Sequence, residues 1–170
     1  MLTELDEYVG GLVRKHASRG VLIDANLLIV LLIGRQDRSA VSRFPHSKEY
    51  TAAEFDVLDR FVRRFRRIIT TPHILTEVSN LSGKLRGDDL TLFRAMLAQE
   101  ICQYEERQRA AQEVVQSPYF AKLGLTDAGI ERIARDGLLV LTDDLALAGA
   151  LEKVRIDVLN FNRIRPLAWS

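Results

Sequence analysis

Short apolar segments alternate with helical patterns along this 170-residue chain, and this alternation constrains the fold more than any other feature. The predicted strands are Val21–Asp24, Ile68–Thr70, Leu138–Thr142 and Asp157–Asn160. Longer segments with apolar residues at helical spacing separate these strands. Because strands that alternate with helices form parallel sheets covered on both faces, the sequence predicts an α/β fold. The expected architecture is a three-layer α/β/α sandwich with a central, mainly parallel sheet of four to five short strands.

The helical segments fill most of the remaining chain. They are predicted over residues 3–18, Asn26–Ile33, Ala52–Arg66, Pro72–Ser82, Asp88–Gln116, Asp127–Arg135 and Asp143–Lys153. Residues 35–50 are polar, contain a proline and are predicted to form a loop. Thr126 is predicted to cap the helix that starts at the next residue. Since no linker or internal repeat interrupts this pattern, we expect one domain over residues 1–170, with a helical extension over about residues 1–19.

Composition and charge limit the classes of protein to which the chain can belong. A hydrophobic share of 47% and a charged share of 28% are those of an ordinary globular protein. The formal net charge of +1 excludes a broadly basic nucleic-acid coat but allows a local basic patch. Cys102 is the single cysteine, which excludes an internal disulfide and a cysteine-based zinc site. The longest apolar run, Leu27–Ile33, is shorter than the ~18 residues of a membrane span, and no signal-peptide pattern begins the chain. We therefore expect a cytoplasmic protein without membrane contact.

Four acidic residues stand at the ends or beginnings of predicted elements. They are Asp24, Glu77, Asp127 and Asp144. Each one alone is explained equally well as a helix cap or an exposed helical residue. In a parallel sheet, however, ligands bind beyond the carboxyl ends of the strands, where such residues meet. Carboxylates gathered at one point repel each other, and a hard divalent cation such as Mg²⁺ or Mn²⁺ relieves that repulsion. The pattern predicts a metal-dependent enzyme that acts on phosphates.

The segments around these four acids resemble, in the same order, the four acidic motifs of the PIN-domain family. The segments are Val21–Asn26, Thr71–Val78, Leu125–Ile130 and Val140–Asp144. The resemblance implies a parallel α/β/α fold and an Mg²⁺- or Mn²⁺-dependent ribonuclease that hydrolyses RNA phosphodiester bonds. Many bacterial members of the family are VapC-like toxins, each neutralised by an antitoxin. The resemblance therefore also implies RNA as substrate, an antitoxin as partner and a homodimer.

Matched by position, the resemblance assigns catalytic and metal-binding roles to the four acids. These are Asp24, Glu77, Asp127 and Asp144. Asn26 and Thr142 match polar positions beside the acids, where a side chain orients carboxylates or waters. Asp143 is left open between an additional metal ligand and a helix cap. Small toxins of this family are usually shorter and begin near the first strand. This chain departs from that pattern in its N-terminal helix, its 35–50 loop and the long helix predicted after Gly87. These differences weaken the toxin role more than the nuclease role.

The densest basic cluster lies in and after the helix predicted over Ala52–Arg66. It comprises Arg60, Arg63, Arg64, Arg66 and Arg67. Such a cluster either contacts RNA phosphates, for which arginine is well suited, or forms a solvated helix face paired with neighbouring acids. An alternative to the enzyme is a catalytically inactive PIN-like scaffold that binds RNA or protein. The presence or absence of Mn²⁺ binding separates the two.

Overall fold

A computed structural model describes residues 2–169 of the chain, with side chains described from Glu4 to Ala168. The strands are β1 Val21–Ile23, β2 Ile68–Thr70, β3 Glu105–Glu106, β4 Leu139–Thr142 and β5 Val158–Asn160. They form one five-stranded sheet in the order β3-β2-β1-β4-β5, and every neighbouring pair is parallel. The predicted α/β/α sandwich is therefore confirmed.

Eight α-helices surround this sheet in the described part of the chain. They are α1 Leu2–His16, α2 Ala25–Gln36, α3 Ala52–Val62, α4 Pro72–Ser82, α5 Gly87–Ile101, α6 Ala111–Val114, α7 Phe120–Ala134 and α8 Leu145–Lys153. Crossovers between parallel strands are right-handed, so the helices that join β1, β2 and β3 lie on one face and those that join β3, β4 and β5 on the other. Among the described residues, none of the helices combines the length and the apolar character needed to cross a membrane.

Burial and local caps explain the central elements. The residues of β1 and β4 are all buried, because helices cover both faces of the sheet. Helix α2 is apolar on nearly every side, and its segment from Leu27 to Gly34 lies in the interior. Thr51 begins α3 through a capping box with Glu54, and Thr71 caps α4, whose first residue is proline. Since caps are local signals, both helix starts are as predicted.

The helix predicted over Asp88–Gln116 is confirmed up to Ile101 and wrong beyond it. Helix α5 ends at Ile101, and the chain then forms β3 and the short helix α6 before it reaches α7. The backbone of β3 pairs with β2, with Ile69 opposite Glu105, and the Glu105 carboxylate forms an ion pair with Arg107 at 2.6 Å. A polar strand of two residues carries no hydrophobic alternation, so only its neighbour in the sheet reveals it.

Two helix starts near the predicted site also differ from the prediction. Helix α7 spans Phe120–Ala134, but Gly124, with a non-helical φ of +82°, divides it into two parts, and the part that carries Asp127 begins just after this glycine, slightly before the predicted start. Thr126 therefore lies within the helix and does not cap it, and its hydroxyl donates to Glu77 instead. Helix α8 begins at Leu145 with Asp144 as its N-cap, two residues later than predicted. Within the predicted 35–50 loop, a short 3₁₀ helix covers Arg38–Ala40.

Candidate active site

A cavity of about 360 Å³ lies at the carboxyl edge of the sheet, just beyond the ends of β1 and β4. Asp24, Glu77, Asp127, Asp144 and Asn26 all line it, together with Ala25 and residues 123–126. We call it the acidic cavity. The structure thus brings together all four acids that the sequence singled out, from two strand ends and two helices. The parallel sheet accounts for the two strand-end acids, and the packing of α4 against α7 brings the other two to the same place.

Asp24 is the most restrained of these acids. It is buried at the end of β1, and its Oδ1 accepts a hydrogen bond of 2.9 Å from the backbone N–H of Leu27, which caps α2. Its Oδ2 accepts from the Thr142 hydroxyl and, at 3.3 Å, from the backbone N–H of Asp143. Burial first, and then the Asp143 carboxylate, raise the pKa of Asp24 to about 8. Asp24 is therefore held rigidly in an environment that disfavours its charge.

Thr142 and Asp144 connect the end of β4 to Asp24. The buried Thr142 hydroxyl donates to Asp24 and accepts a 3.0 Å hydrogen bond from the backbone N–H of Asp144. The Oδ1 of Asp144 accepts from the backbone N–H groups of Ala146 at 2.6 Å and Leu147 at 3.0 Å. This threonine therefore orients the first acid, as predicted for it, and the last acid caps α8 while its side chain lines the acidic cavity.

Asp127 lies in α7, just after the Gly124 kink, and is half-buried. Burial first, and then the carboxylates of Asp144 and Glu77, raise its pKa to about 6. The two named carboxylates belong to residues that line the same cavity. The electrostatic repulsion expected of a carboxylate cluster is therefore present at this residue.

Glu77 is exposed on α4, and its carboxylate faces the kinked helix α7. Its Oε1 accepts a hydrogen bond of 2.6 Å from the hydroxyl of Thr126. This contact ties the second acid to the residue just before the third. Thr126 is thus a residue of the site whose role the sequence did not reveal, because its position before an acid is equally typical of a helix cap.

Asp143 lies behind the acidic cavity and does not line it. Its Oδ2 accepts a hydrogen bond of 2.5 Å from the hydroxyl of Tyr50, and its buried Oδ1 has no hydrogen-bond partner among the described residues. The guanidinium of Arg165 stacks over the Tyr50 ring at 4.5 Å from its centroid. The open choice for Asp143 is resolved in part: it does not cap α8, and it acts on Asp24 through its charge and backbone N–H.

The side chains of the acidic cavity have the right chemistry to hold a hard divalent cation, but they are not oriented as a metal site. Four carboxylates line one cavity, and this is the donor type that Mg²⁺ and Mn²⁺ prefer. Within residues 2–169, no group of three or more His, Cys, Asp or Glu side chains is arranged to hold a metal ion. Glu77 and Asp144 instead direct carboxylate oxygens to hydrogen-bond donors of the chain. Each of these two carboxylates uses one of its oxygens in this way, so the second oxygen is the one left for an ion.

The arginine cluster does not join the acids. Arg60 lies in the last turn of α3, and Arg63, Arg64 and Arg67 precede β2, which places the cluster at the amino edge of the sheet. Arg63 forms an ion pair of 2.6 Å with an aspartate of α3, and Arg67 forms one with Glu105. Arg60, Arg64 and Arg66 are exposed. The predicted RNA contact and the predicted solvated face both remain predictions for these three residues.

Known proteins do not identify a family for this chain. No protein-family model, no curated protein and no solved structure matches it. The resemblance carried by the four acidic segments therefore stays a prediction. Any function assigned to the chain depends on the geometry and chemistry of the acidic cavity itself.

Proposed function

We propose that this chain is a metal-dependent endoribonuclease of the PIN type, which hydrolyses phosphodiester bonds of single-stranded RNA. The observation that carries the proposal is the convergence of Asp24, Glu77, Asp127 and Asp144 on one cavity. The raised pKa of Asp127 supports the same function: burial raises it first, the carboxylates of Asp144 and Glu77 raise it further, and a divalent cation would offset these effects. The order of the acidic segments along the chain points to the PIN family.

The four acids would hold Mg²⁺ or Mn²⁺. When bound, such an ion lowers the pKa of a water molecule and offsets negative charge on the phosphate oxygens. Asp24 supplies a rigid carboxylate, because Leu27 and Thr142 fix both of its oxygens. Asp127 forms no hydrogen bond to the described part of the chain that would hold its carboxylate, so this group is available to an incoming ligand. Asn26, which is exposed and lines the cavity, would orient carboxylates or waters.

The variant Asp24→Asn tests the nuclease directly. Asparagine caps a helix as well as aspartate does, so the fold should persist while the charge is lost. We expect Mn²⁺-dependent cleavage of labelled single-stranded RNA to fall to the level of EDTA-treated protein. Asp6→Asn, the same chemical change at an exposed residue of α1 outside the cavity, should cleave as the wild type does. Full activity of the Asp24 variant, or of the wild type in EDTA, would refute the proposal.

A second candidate is a PIN-like scaffold that binds RNA or protein without cleaving it. The observation that favours it is the engagement of Asp24, Glu77 and Asp144 in hydrogen bonds with the chain's own donors. These bonds engage both oxygens of Asp24 and one oxygen each of Glu77 and Asp144 without a metal. Calorimetric titration with Mn²⁺ separates the two candidates. If the chain is a nuclease, the wild type binds the ion and Asp127→Asn does not. If it is a scaffold, neither protein binds the ion.

A toxin role, with an antitoxin protein and a homodimer, follows from the resemblance alone. Expression of the wild type should arrest bacterial growth, and expression of Asp24→Asn should not. Growth that is equal for both would remove the toxin role and leave the nuclease chemistry untouched.

A further inference from the structure

A second cavity, of about 310 Å³, lies at the amino edge of the sheet, opposite the acidic cavity. It forms where the end of α1, the segment before β4 and the turn between α8 and β5 meet. Four of its lining residues carry permanent positive charge: Lys15, Arg19, Arg135 and Arg155. We call it the basic cavity. Its volume is near the lower end of the range for small-ligand sites, about 300 Å³.

Two of these four charges are not matched by a carboxylate. Lys15 forms an ion pair of 2.6 Å with Asp157, and Arg135 forms one of 2.5 Å with the buried Glu131. Among residues 4–168, the guanidinium of Arg19 donates only to the backbone carbonyl of Gly137, at 3.3 Å. The guanidinium of Arg155 has no hydrogen bond or ion pair with this part of the chain. The ends of α1 and α8 add roughly half a negative charge each, so two guanidinium groups still leave the cavity positive.

Arg155 also occupies a backbone position that normally belongs to glycine. It follows the end of α8 with a φ of +57°, in a Schellman turn closed by the backbone bonds Arg155 N–H to Glu152 O and Ile156 N–H to Leu151 O, each 3.0 Å. The other residues with positive φ in the described chain are all glycines. An arginine is less stable there than glycine because its Cβ approaches the following carbonyl. Retained strain of this kind points to a role for the side chain.

We propose that the basic cavity binds a phosphate group between the guanidinium groups of Arg19 and Arg155. A planar guanidinium offers two parallel N–H donors to phosphate oxygens, and an exposed arginine without a carboxylate partner is free to supply them. Lys15 adds positive charge at the same cavity. The phosphate belongs either to a small phosphomonoester or to the backbone of a single-stranded RNA. The site is separate from the acidic cavity and does not depend on the proposed nuclease.

The variant Arg155→Gly tests this site without endangering the fold, because glycine relieves the strain at that position. Binding of inorganic phosphate, adenosine monophosphate and a short single-stranded RNA is measured by calorimetry on the full chain. EDTA and low ionic strength are used throughout, so cleavage at the acidic cavity plays no part. We expect the wild type to bind at least one probe and Arg155→Gly to bind it about tenfold more weakly. The thermal midpoint of the variant should be unchanged or higher.

Two further variants sharpen the result. Arg94→Ala removes the same charge from an exposed position on α5 outside the basic cavity and should bind as the wild type does. Arg155→Lys keeps the charge without the guanidinium fork and should lie between the wild type and the glycine variant. Binding of the small phosphates identifies a phosphomonoester site, and binding of RNA alone identifies a backbone site. No binding by the wild type, or equal binding by Arg155→Gly, would overturn the proposal whatever the nuclease assays show.

Discussion

Replacing Asp127 by asparagine should make the metal-free protein more stable. The pKa of this carboxyl is raised from 3.8 to about 6, by burial first and then by the carboxylates of Asp144 and Glu77. Asparagine has nearly the same shape and carries no charge. The variant should therefore keep the fold of α7 while removing a repulsion that the wild type tolerates above pH 6. Stabilisation by loss of a functional charge is the usual trade between activity and stability.

The sign and size of the effect follow from proton linkage. Between about pH 4 and pH 6 the folded wild type binds more protons at Asp127 than the unfolded chain does. Its contribution to stability is therefore complete below the unfolded pKa and is lost as pH rises through the folded one. A tenfold change in proton affinity corresponds to about 1.4 kcal/mol, so the difference should reach about 2–3 kcal/mol after partial screening by solvent. Because asparagine does not titrate, the variant does not lose this stability as the pH rises.

Urea denaturation of both proteins in EDTA, from pH 3.5 to pH 8, measures the difference in the free energy of unfolding. The two proteins should be equally stable near pH 3.5 and should diverge until about pH 6, with a constant difference above it. Taking the difference removes the contribution of Asp24, whose raised pKa does not arise from Asp127. Asp6→Asn, at an exposed site, should show no such divergence. A variant less stable than the wild type at pH 7, or a difference independent of pH, would refute the raised pKa of Asp127.

Two other substitutions test the packing behind the site. Tyr50→Phe removes the hydroxyl that donates to Asp143, whose other oxygen already lacks a partner. The free energy of unfolding, measured by urea denaturation, should fall by about 1–3 kcal/mol. A fall below about 0.5 kcal/mol, the size of an ordinary surface change, would contradict this prediction. Gly34→Ala would place a Cβ 2.2 Å from an aromatic ring of α3 and should lower the unfolding free energy by about 1–3 kcal/mol, although alanine favours helices. An unchanged or raised thermal midpoint would show that the ring moves aside at no cost.

The sheet could be predicted from the sequence wherever its strands are apolar. The residues of β1, β2, β4 and β5 form short buried runs between helical patterns, and this alternation is sufficient to infer parallel pairing. The residues of β3 are two glutamates, whose side chains give no such signal. They form a strand because the backbone of β2 offers unpaired groups beside them. The chain from Asp88 to Gln116 therefore resembled one polar helix until its neighbours were known.

The four acids of the site were predictable from the sequence, but of the side chains that hold them only Thr142 was. Asp24 and Asp144 follow strands, so the parallel sheet alone places both at its carboxyl edge. Glu77 and Asp127 lie on helices. Sequence spacing shows which residues share a face of a helix, but it does not show what that face packs against in the fold. Their meeting depends on how α4 packs against the kinked helix α7. Tyr50, from the polar loop before α3, gave no sequence signal at all.

The sequence by itself determined the alternation of strands and helices, the helix starts at Ala52 and Pro72, and the set of acids that could meet. These depend on periodicity and on contacts within a few residues. Tertiary structure decided which side chains hold the acids. The Thr142 hydroxyl reaches Asp24 across 118 residues, that of Tyr50 reaches Asp143 across 93, and that of Thr126 reaches Glu77 across 49. A hydroxyl donates equally well to its own backbone or to a distant carboxylate, and only the packed chain brings one particular acceptor within reach.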